Sequence, residues 1–422
     1  MISILGAGAI GQLLAHKLTE ASIDCQLIVR AENNARSNLW CLHDQEQQIY
    51  HEIPPITASV CDELGQVWLC VKSHQLETAL ESISHAISDT TKIVLFQNGM
   101  GHEQIALRFV KPEQIYFASN THGAFASESN TVHYAGRGSI TFGSFHTTEQ
   151  SDFLSSNVLE AVNGQWHSDI KTVLWQKLFI NAVINPLTAI YQCKNGALLD
   201  HDKKPAVLAL INENQRLADI LDLNFEQALK DITLNVIQAT AANNSSMLQD
   251  IQQGNITEIN AINGYLLDQA SNVGAPVPHN WQLWSQFHIA HPPLKSVAQQ
   301  RAKELDSLSY QVTQQHGTEP PFSGAYNLHQ EKGIYHCVCC ESPLFRYDSK
   351  FDAGCGWPSF DRAQDNKAIA YKQDHSHGMT RTEILCAQCG SHLGHVFDDG
   401  PTETGQRFCV NSVSLNFKQD DS

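Results

Sequence analysis

Several absences narrow the class of this 422-residue chain. Positive charge is scarce: 27 lysines and arginines face 44 aspartates and glutamates, for a net charge of −17. The deficit holds throughout, with 16 basic against 28 acidic residues before position 300 and 11 against 16 after it. A surface that neutralises phosphate backbones needs the opposite balance, so no nucleic-acid partner is expected. A strand-like run at residues 2–5 follows Met1 directly, which leaves no room for a charged, cleavable targeting peptide. The most apolar stretch, residues 178–190, carries Asn181, Asn185 and Pro186 and is too short for a bilayer span. Repeats and low-complexity tracts are also missing. The expectation is a cytoplasmic protein without membrane contact.

What is present is ordinary globular material, 42% hydrophobic and 17% charged, in a chain longer than one core usually organises. Short apolar runs (ISILG, CQLIV, VWLCVK, KIVLFQNG) alternate with helix-like segments up to residue 168, the pattern of a parallel sheet covered by helices. Residues 169–293 read as successive amphipathic helices. His291-Pro292-Pro293 breaks that pattern, because two prolines cannot continue a helix. Residues 294–309 are expected to form a linker with a short helix, and residues 310–422, rich in glycine, aromatics and short alternating runs, a mainly antiparallel β domain. The fold class is thus multidomain: an α/β Rossmann-type domain, an all-α domain, then the β domain.

Gly6-Ala7-Gly8-Ala9-Ile10-Gly11 follows a strand and opens a helix, the context a dinucleotide fingerprint requires. Its glycines permit a tight turn and close approach of backbone to a pyrophosphate. The second strand ends in Arg30 where NAD-binding folds carry a carboxylate, and a cation suits the 2′-phosphate of NADP(H). Further on, Lys177, Asn181 and Asn185 stand at i, i+4 and i+8, so a helix aligns them along one side. Such a row suits a cleft in which a lysine supplies a proton while amides hold a small anion; a partly exposed helix face has the same pattern.

These residues carry a family resemblance. GAGAIG, Lys72, QNGMG with Asn98, KLFINAVINPLTA, SSMLQDI and TEINAINGYLL make residues up to about 295 resemble bacterial ketopantoate reductases. The resemblance implies hydride transfer from NADPH to 2-dehydropantoate, giving pantoate. It implies Lys177 as proton donor and Asn98 in contact with both substrate and cofactor. Asn181, Asn185, Asn195 and Ser246 become substrate contacts, and Lys72, Ala124 and Glu258 nucleotide contacts.

Seven of the twelve cysteines fall between Cys337 and Cys409, which without an export signal points to metal or redox chemistry. Cys25, Cys41, Cys61, Cys70 and Cys193 are scattered and expected to be small buried hydrophobes. Cys337-x-x-Cys340 and Cys386-x-x-Cys389 have the spacing of two zinc knuckles; Cys339 could substitute in register, and iron binds four thiolates too. Four thiolates close a tetrahedral site, so this metal is structural and catalysis needs another cysteine. In RFCVN, a strand puts Arg407, Cys409 and Asn411 on one face and Phe408 and Val410 in the core. A guanidinium beside the thiol favours the thiolate, making Cys409 the expected nucleophile.

From about Tyr310 onward the chain resembles type B methionine sulfoxide reductases, through YQVTQQHGTEPPFSG, CGWPSF, HGMTRTEILC, HLGHVFDDGP and RFCVNSVSL. That resemblance implies reduction of methionine R-sulfoxide in peptides or proteins, with Cys409 attacking sulfur, Cys355 resolving the sulfenic acid to a disulfide, and thioredoxin resetting the enzyme. It places Trp357 against the substrate methyl group, and His392, His395, Asp398, Arg407 and Asn411 on the polar side. The leading expectation is therefore a bifunctional oxidoreductase using NADPH and structural Zn2+. The alternatives are a reductase of another 2-keto acid, or a nonenzymatic NADP(H)-binding module, attached to the repair enzyme.

Overall fold

The computed structural model of the protein describes residues 1–30, 38–128 and 130–420, and these form two compact units. The first comprises residues 1–183, 214–239 and 258–275; the second comprises 184–213, 240–257 and 276–422.

In the first unit, the fully buried strand Ile2–Leu5 pairs in parallel with Cys25–Val29 on one side and Gln66–Leu69 on the other. An eight-stranded sheet results, in the order Gly164–Trp166, Ile140–Gly143, Ile115–Asn120, Lys92–Leu95, Gln66–Leu69, Ile2–Leu5, Cys25–Val29, Pro55–Thr57. It is parallel except where Ile140–Gly143 runs against Ile115–Asn120. Continuous apolar strands of this kind need cover on both faces. Helix Ala9–Glu20 supplies part of it, burying Leu13, Leu14 and Leu18. A second sheet, in the order Gln47–Glu52, Leu39–Asp44, Thr131–Gly136, Gly123–Glu128, went unanticipated because strands such as QQIYHE are mostly polar and solvent-facing.

Helix Ile170–Tyr191 follows, 22 residues with Pro186 inside. It is long and apolar enough to span a membrane by length and composition, at a mean hydropathy of 1.2, yet 72% of that window is buried inside the protein. Its apolar side chains are thus consumed by the core, consistent with the helical character expected of residues 169–293.

In the second unit, buried Glu213 accepts from the backbone N–H groups of His279 and Asn280 and from Asn280 Nδ2, at 3.0, 2.7 and 2.7 Å. A carboxylate there compensates the positive N-terminus of helix Pro278–Ala290. The β region holds a three-stranded sheet, Pro343–Arg346, Gly333–Cys337, Leu415–Gln419, and a six-stranded one. The latter runs Lys350–Phe351, Ser359–Phe360, Arg407–Val410, His392–Phe397, Arg381–Cys386, Ile369–Asp374, antiparallel throughout. Tyr335, Phe345, Phe360 and Phe408 fill its core, where each buried aromatic contributes about 1.5–3 kcal/mol.

Residues 294–309, expected to be linker and short helix, form helix Lys295–Arg301, a 3-10 turn and the first turn of helix Ser307–Gln315. They are packed as well as connecting. Ala298 is buried in the β core beside Leu294 and Leu305, Leu294 N–H donates to Gln388 O at 2.6 Å, and Ile289 packs against Ala370, Leu385 and Ala387.

Candidate active sites

The fingerprint forms the turn its glycines require. Gly6 has φ +112°, and a methyl group there would meet the Val71 nitrogen at 2.9 Å; one on Gly11 would lie 2.0 Å from the Gly6 carbonyl oxygen. At Gly8 nothing stands within 4 Å. Gly8 also caps helix Ala9–Glu20, whose first turn has no acidic residue. Open space above unpaired helical N–H groups fits a pyrophosphate. Ala124 packs with Ala9 around Leu13, Leu42 and Val132, beside this turn. Arg30 is exposed just past strand Cys25–Val29, and residues 31–37, which follow it, lie outside the described residues.

Buried Glu258 gathers the polar groups of the first unit. One carboxylate oxygen accepts from Asn98 Nδ2 at 3.1 Å and stands 4.0 Å from Lys72 Nζ; the other accepts from Ser73 N–H at 3.3 Å. Glu258 therefore orders the residues expected around the nucleotide. The loop bearing Asn98 is seated by Gly99, at φ +89°, where a methyl group would strike the Ala261 carbonyl oxygen at 2.3 Å, and by Met100 N–H donating to the same oxygen. Ala261 belongs to the π-helical turn Asn260–Gly264, a local geometry enriched at functional sites.

Lys177 is only partly exposed and donates from Nζ to the Asn120 carbonyl at 2.7 Å. Burial pulls its pKa down to about 8, against the opposing pull of Glu258. Asn181 follows one turn later on the same helix, and Asn263, which sequence reading passed over, donates to the Ala182 carbonyl at 2.9 Å. In the second unit, Asn185 and Asn195 are buried; Asn195 Nδ2 donates to Thr240 Oγ1 at 2.9 Å while its Oδ1 has no partner. Ser246 is exposed at the start of helix Ser246–Gln253, and its neighbour Ser245 caps that helix and bonds Thr188 Oγ1 at 2.7 Å.

The four knuckle cysteines converge, with Cys337 Sγ 3.6 Å from Cys389 Sγ and Cys340 Sγ 3.6 Å from Cys386 Sγ, and no disulfide. All four sulfurs lie within 4.8 Å of one another. A tetrahedron of thiolates about 2.3 Å from zinc has edges near ~3.8 Å, so the set fits that ion. Cys339 is buried just outside it, with Gln314 Nε2 3.5 Å from its sulfur.

Cys409 stands on strand Arg407–Val410 between His395 on one neighbouring strand and Ser359 on the other, with Phe408 and Val410 in the core as expected of this alternation. Its sulfur is 3.9 Å from Cys355 Sγ, which also lies 3.5 Å from Ser359 Oγ. Burial pushes the Cys409 thiol up to about 12, with Cys355 adding to the rise and Arg407 only partly opposing it. At Cys355 burial also acts upward, but hydrogen bonds from Ser359 and the Trp357 backbone prevail and bring it below its ordinary value. Arg407 acts toward the thiolate, as expected, but does not outweigh burial and the neighbouring Cys355. The guanidinium is held by a carboxylate, Asp399, through bonds of 2.8 Å to both oxygens, which offset part of its charge. Asp399 adjoins Asp398, which was expected on the polar side of the substrate site together with Arg407.

Trp357 is fixed by its indole N–H, which donates to the Glu319 carbonyl at 3.1 Å. Asn411 uses both ends of its amide on backbone, accepting from Glu319 N–H at 3.0 Å and donating to Leu393 O at 3.1 Å. The Glu319 carboxylate accepts from Ser412 and Val413 N–H at 2.6 and 3.1 Å, so this residue ties Trp357 to the end of the Cys409 strand. His395 bonds Asp374 at 2.8 Å and His392 bonds Glu383 at 2.6 Å. Glu319, Asp374, Glu383 and Asp399 were not singled out from sequence. Glu319 and Glu383 lie inside HGTEPP and TRTEILC, but only the folded chain shows what they face.

Three family profiles match: "Ketopantoate reductase PanE/ApbA" over residues 2–147, "Ketopantoate reductase PanE/ApbA C terminal" over 169–291, and "SelR domain" over 305–419. A peptide methionine sulfoxide reductase MsrB of Alteromonas mediterranea is 55% identical over 129 residues, which are 30% of this chain and 91% of that protein. The crystal structure of a probable 2-dehydropantoate 2-reductase from Bacillus subtilis is 30% identical, with a TM-score of 0.57, covering 68% of this chain and 98% of that one. A D-mandelate dehydrogenase solved with NADH and anilino(oxo)acetate shares the fold at 22% identity and a TM-score of 0.62, covering 68% of this chain and 97% of that one. With glycine turn, Lys177 and Glu258 in one part and four knuckle thiols and a cysteine pair in the other, the chain belongs to two families, the ketopantoate reductases through residues 2–291 and the MsrB-type methionine sulfoxide reductases through residues 305–419.

Proposed function

We propose that the chain is a bifunctional cytoplasmic reductase: residues 1–168 and 169–293 convert 2-dehydropantoate to pantoate, and residues 310–422 return methionine R-sulfoxide in oxidised proteins to methionine. One observation carries each half. For the first it is the Lys177 ammonium, partly buried and of lowered pKa. Gly6 to Gly11, with Arg30, Lys72, Asn98, Ala124 and Glu258 around them, would hold NADPH, whose nicotinamide would supply hydride at the keto carbon. Lys177 then meets the developing alkoxide, stabilising its charge and donating the proton. Asn98, Asn181, Asn185, Asn195 and Ser246 hold the substrate's carboxylate and hydroxyl groups by hydrogen bonds.

For the second half it is the 3.9 Å separation of Cys355 and Cys409. Cys409 sulfur attacks the sulfoxide; the S–O bond to methionine breaks, oxygen remains on Cys409 as a sulfenic acid with the thiol's proton, and methionine leaves. Cys355 then attacks the sulfenic sulfur, expelling water and leaving a disulfide, for which the sulfurs close by about 1.9 Å to a bond of about 2.0 Å. Thioredoxin supplies the dithiol that reduces it. Trp357 packs against the substrate methyl, and four thiolates hold zinc as a structural ion.

The test is NADPH oxidation by the purified chain, with 2-dehydropantoate in one assay and thioredoxin, thioredoxin reductase and a methionine R-sulfoxide in another. Both proceed if the reading is right. Oxidation with a different 2-keto acid but not with 2-dehydropantoate overturns the first substrate, and failure with every keto acid overturns the first activity.

A further inference from the structure

Residues 292–304 belong to neither matched family, since one profile ends at 291 and the other begins at 305. A segment that only joined two enzymes would be exposed and polar. This one is packed along its length. Ala298 is 2% and Ala302 4% exposed, and Leu294 and Leu305 lie against the β core beside Ala298.

Its contacts fall on the two turns that carry the knuckle thiols. Leu294 N–H donates at 2.6 Å to the carbonyl of Gln388, which stands between Cys386 and Cys389. Gly390, whose N–H closes this turn on the Cys386 carbonyl at 2.8 Å, has φ +78°, and a methyl group there would lie 3.1 Å from Pro292 Cγ. On the other turn, Glu341 N–H closes on the Cys337 carbonyl at 2.8 Å, and the Glu341 carboxylate pairs with Arg301 at 2.6 Å. Upstream, Ile289 packs against Leu385 and Ala387, the residues on either side of Cys386. Ile289 is in the last turn of helix Pro278–Ala290, whose first turn Glu213 holds. Just beyond that helix, His291 Nε2 donates to the Ala189 carbonyl at 3.2 Å, one turn after Asn185. All of these residues lie in the second unit.

We propose that residues 289–305 act as a strap that couples metal at the four thiolates to the helical region, so that the ion of one enzyme stabilises a helix of the other. The proposal rests on reading those thiolates as a zinc site. Four sulfurs within 4.8 Å of one another repel as thiolates, and a cation that neutralises them fixes both turns in their closed shape. Pro292, Leu294 and Arg301 meet the turns in that shape. Docking of the strap therefore favours the metal-bound form, and by linkage the metal favours the docked strap and the packed end of helix Pro278–Ala290. Burial of Leu294 and Ala298 gives the strap its hold, whereas the Arg301–Glu341 pair, 40% exposed on both sides, adds little.

The test follows backbone hydrogen exchange by mass spectrometry in the full chain, as purified with zinc and after a strong chelator has stripped the metal. Couplings between sites change an equilibrium by about fivefold to a hundredfold, so peptides from residues 278–290 exchange at least about fivefold faster in the stripped chain. Strands Gln66–Leu69 and Lys92–Leu95 of the first unit stay protected. Unchanged exchange in 278–290 overturns the proposal. Ala298→Glu puts a charge into a site 2% exposed and lifts the strap while leaving every thiolate in place. From this variant a chromogenic chelator takes zinc at least about fivefold faster than from the wild type, and exchange in 278–290 no longer responds to the metal. Zinc release at the wild-type rate overturns the proposal. If Ala298→Glu does not fold, the wild-type exchange comparison decides alone. A purified chain that holds no metal overturns the four-thiolate reading, and the coupling with it.

Discussion

Lys177→Met keeps the aliphatic stem of the residue and removes the ammonium that donates to the Asn120 carbonyl at 2.7 Å. If Lys177 is the acid, the developing alkoxide loses both a charged hydrogen bond and its proton source. A positioned acid contributes at least about a hundredfold, so kcat for 2-dehydropantoate falls by that factor or more. The same burial that makes the lysine useful opposes folding. Its pKa drops from 10.5 to about 8, a difference of 10.5 − 8, or about 2.5 units, each about 1.4 kcal/mol. Discounted for partial solvent access, the charged form costs about 1–3 kcal/mol at neutral pH. The sign follows from proton uptake: between pH 8 and 10.5 the unfolded chain binds more protons than the folded one, so wild-type stability rises with pH across that window and the variant's does not. Lys177→Met is therefore both less active and more resistant to urea at pH 7. In the wild type, kcat/KM for reduction is level below about pH 8 and falls tenfold per unit above it. A variant whose kcat stays within about threefold of the wild type, measured by NADPH absorbance at saturating substrate, refutes the assignment.

Two further outcomes concern the β domain. Cys355→Ser releases about one methionine per chain in a single turnover and then stalls with a sulfenic acid that a cyclic dione labels at Cys409; steady turnover with thioredoxin at the wild-type rate refutes its resolving role. Cys386→Ser removes one corner of the thiolate tetrahedron. Its zinc content, read by atomic absorption, drops from about one per chain to near zero and the β-domain melting transition moves down by several degrees, whereas unchanged metal content refutes the site.

The elements that sequence revealed were those whose residues answer to one local rule. The fingerprint turn follows from glycines that packing requires at 6 and 11, and the knuckle pairs from their fixed spacing. Alternation in RFCVN correctly sent Phe408 and Val410 inward. Long-range facts were not readable. Glu258 collects Lys72 and Asn98 from sites more than 150 residues away in sequence, and Glu319 joins Trp357 and Ser412, which lie 38 and 93 residues further along the chain. The thiolate argument was incomplete for a related reason: Arg407 lies beside Cys409 on the expected face and favours the thiolate, but neither the depth of burial that outweighs it nor the carboxylate that holds the guanidinium is encoded within those five residues.

The effect of that carboxylate can be tested directly. Arg407 is held by two 2.8 Å bonds to Asp399 and by its position 4.6 Å over the Phe397 ring. Asp399→Asn removes the opposing charge, while the Phe397 contact and one amide hydrogen bond retain the guanidinium. Its field at Cys409 is then uncompensated, and an adjacent cation lowers a thiol pKa by about one unit or more. Because the wild-type thiol sits near 12, almost all of it is protonated at pH 8, and a one-unit fall multiplies the thiolate fraction about tenfold. Alkylation of Cys409 by iodoacetamide, followed by peptide mass spectrometry in a Cys355→Ser background, accelerates by about that factor in Asp399→Asn. Asp398→Asn, one residue earlier, leaves the rate unchanged. If the effect instead follows Asp398, the pairing at Arg407 is wrong; if neither substitution changes the rate, burial alone sets the reactivity of Cys409 and the guanidinium has no electrostatic hold on it.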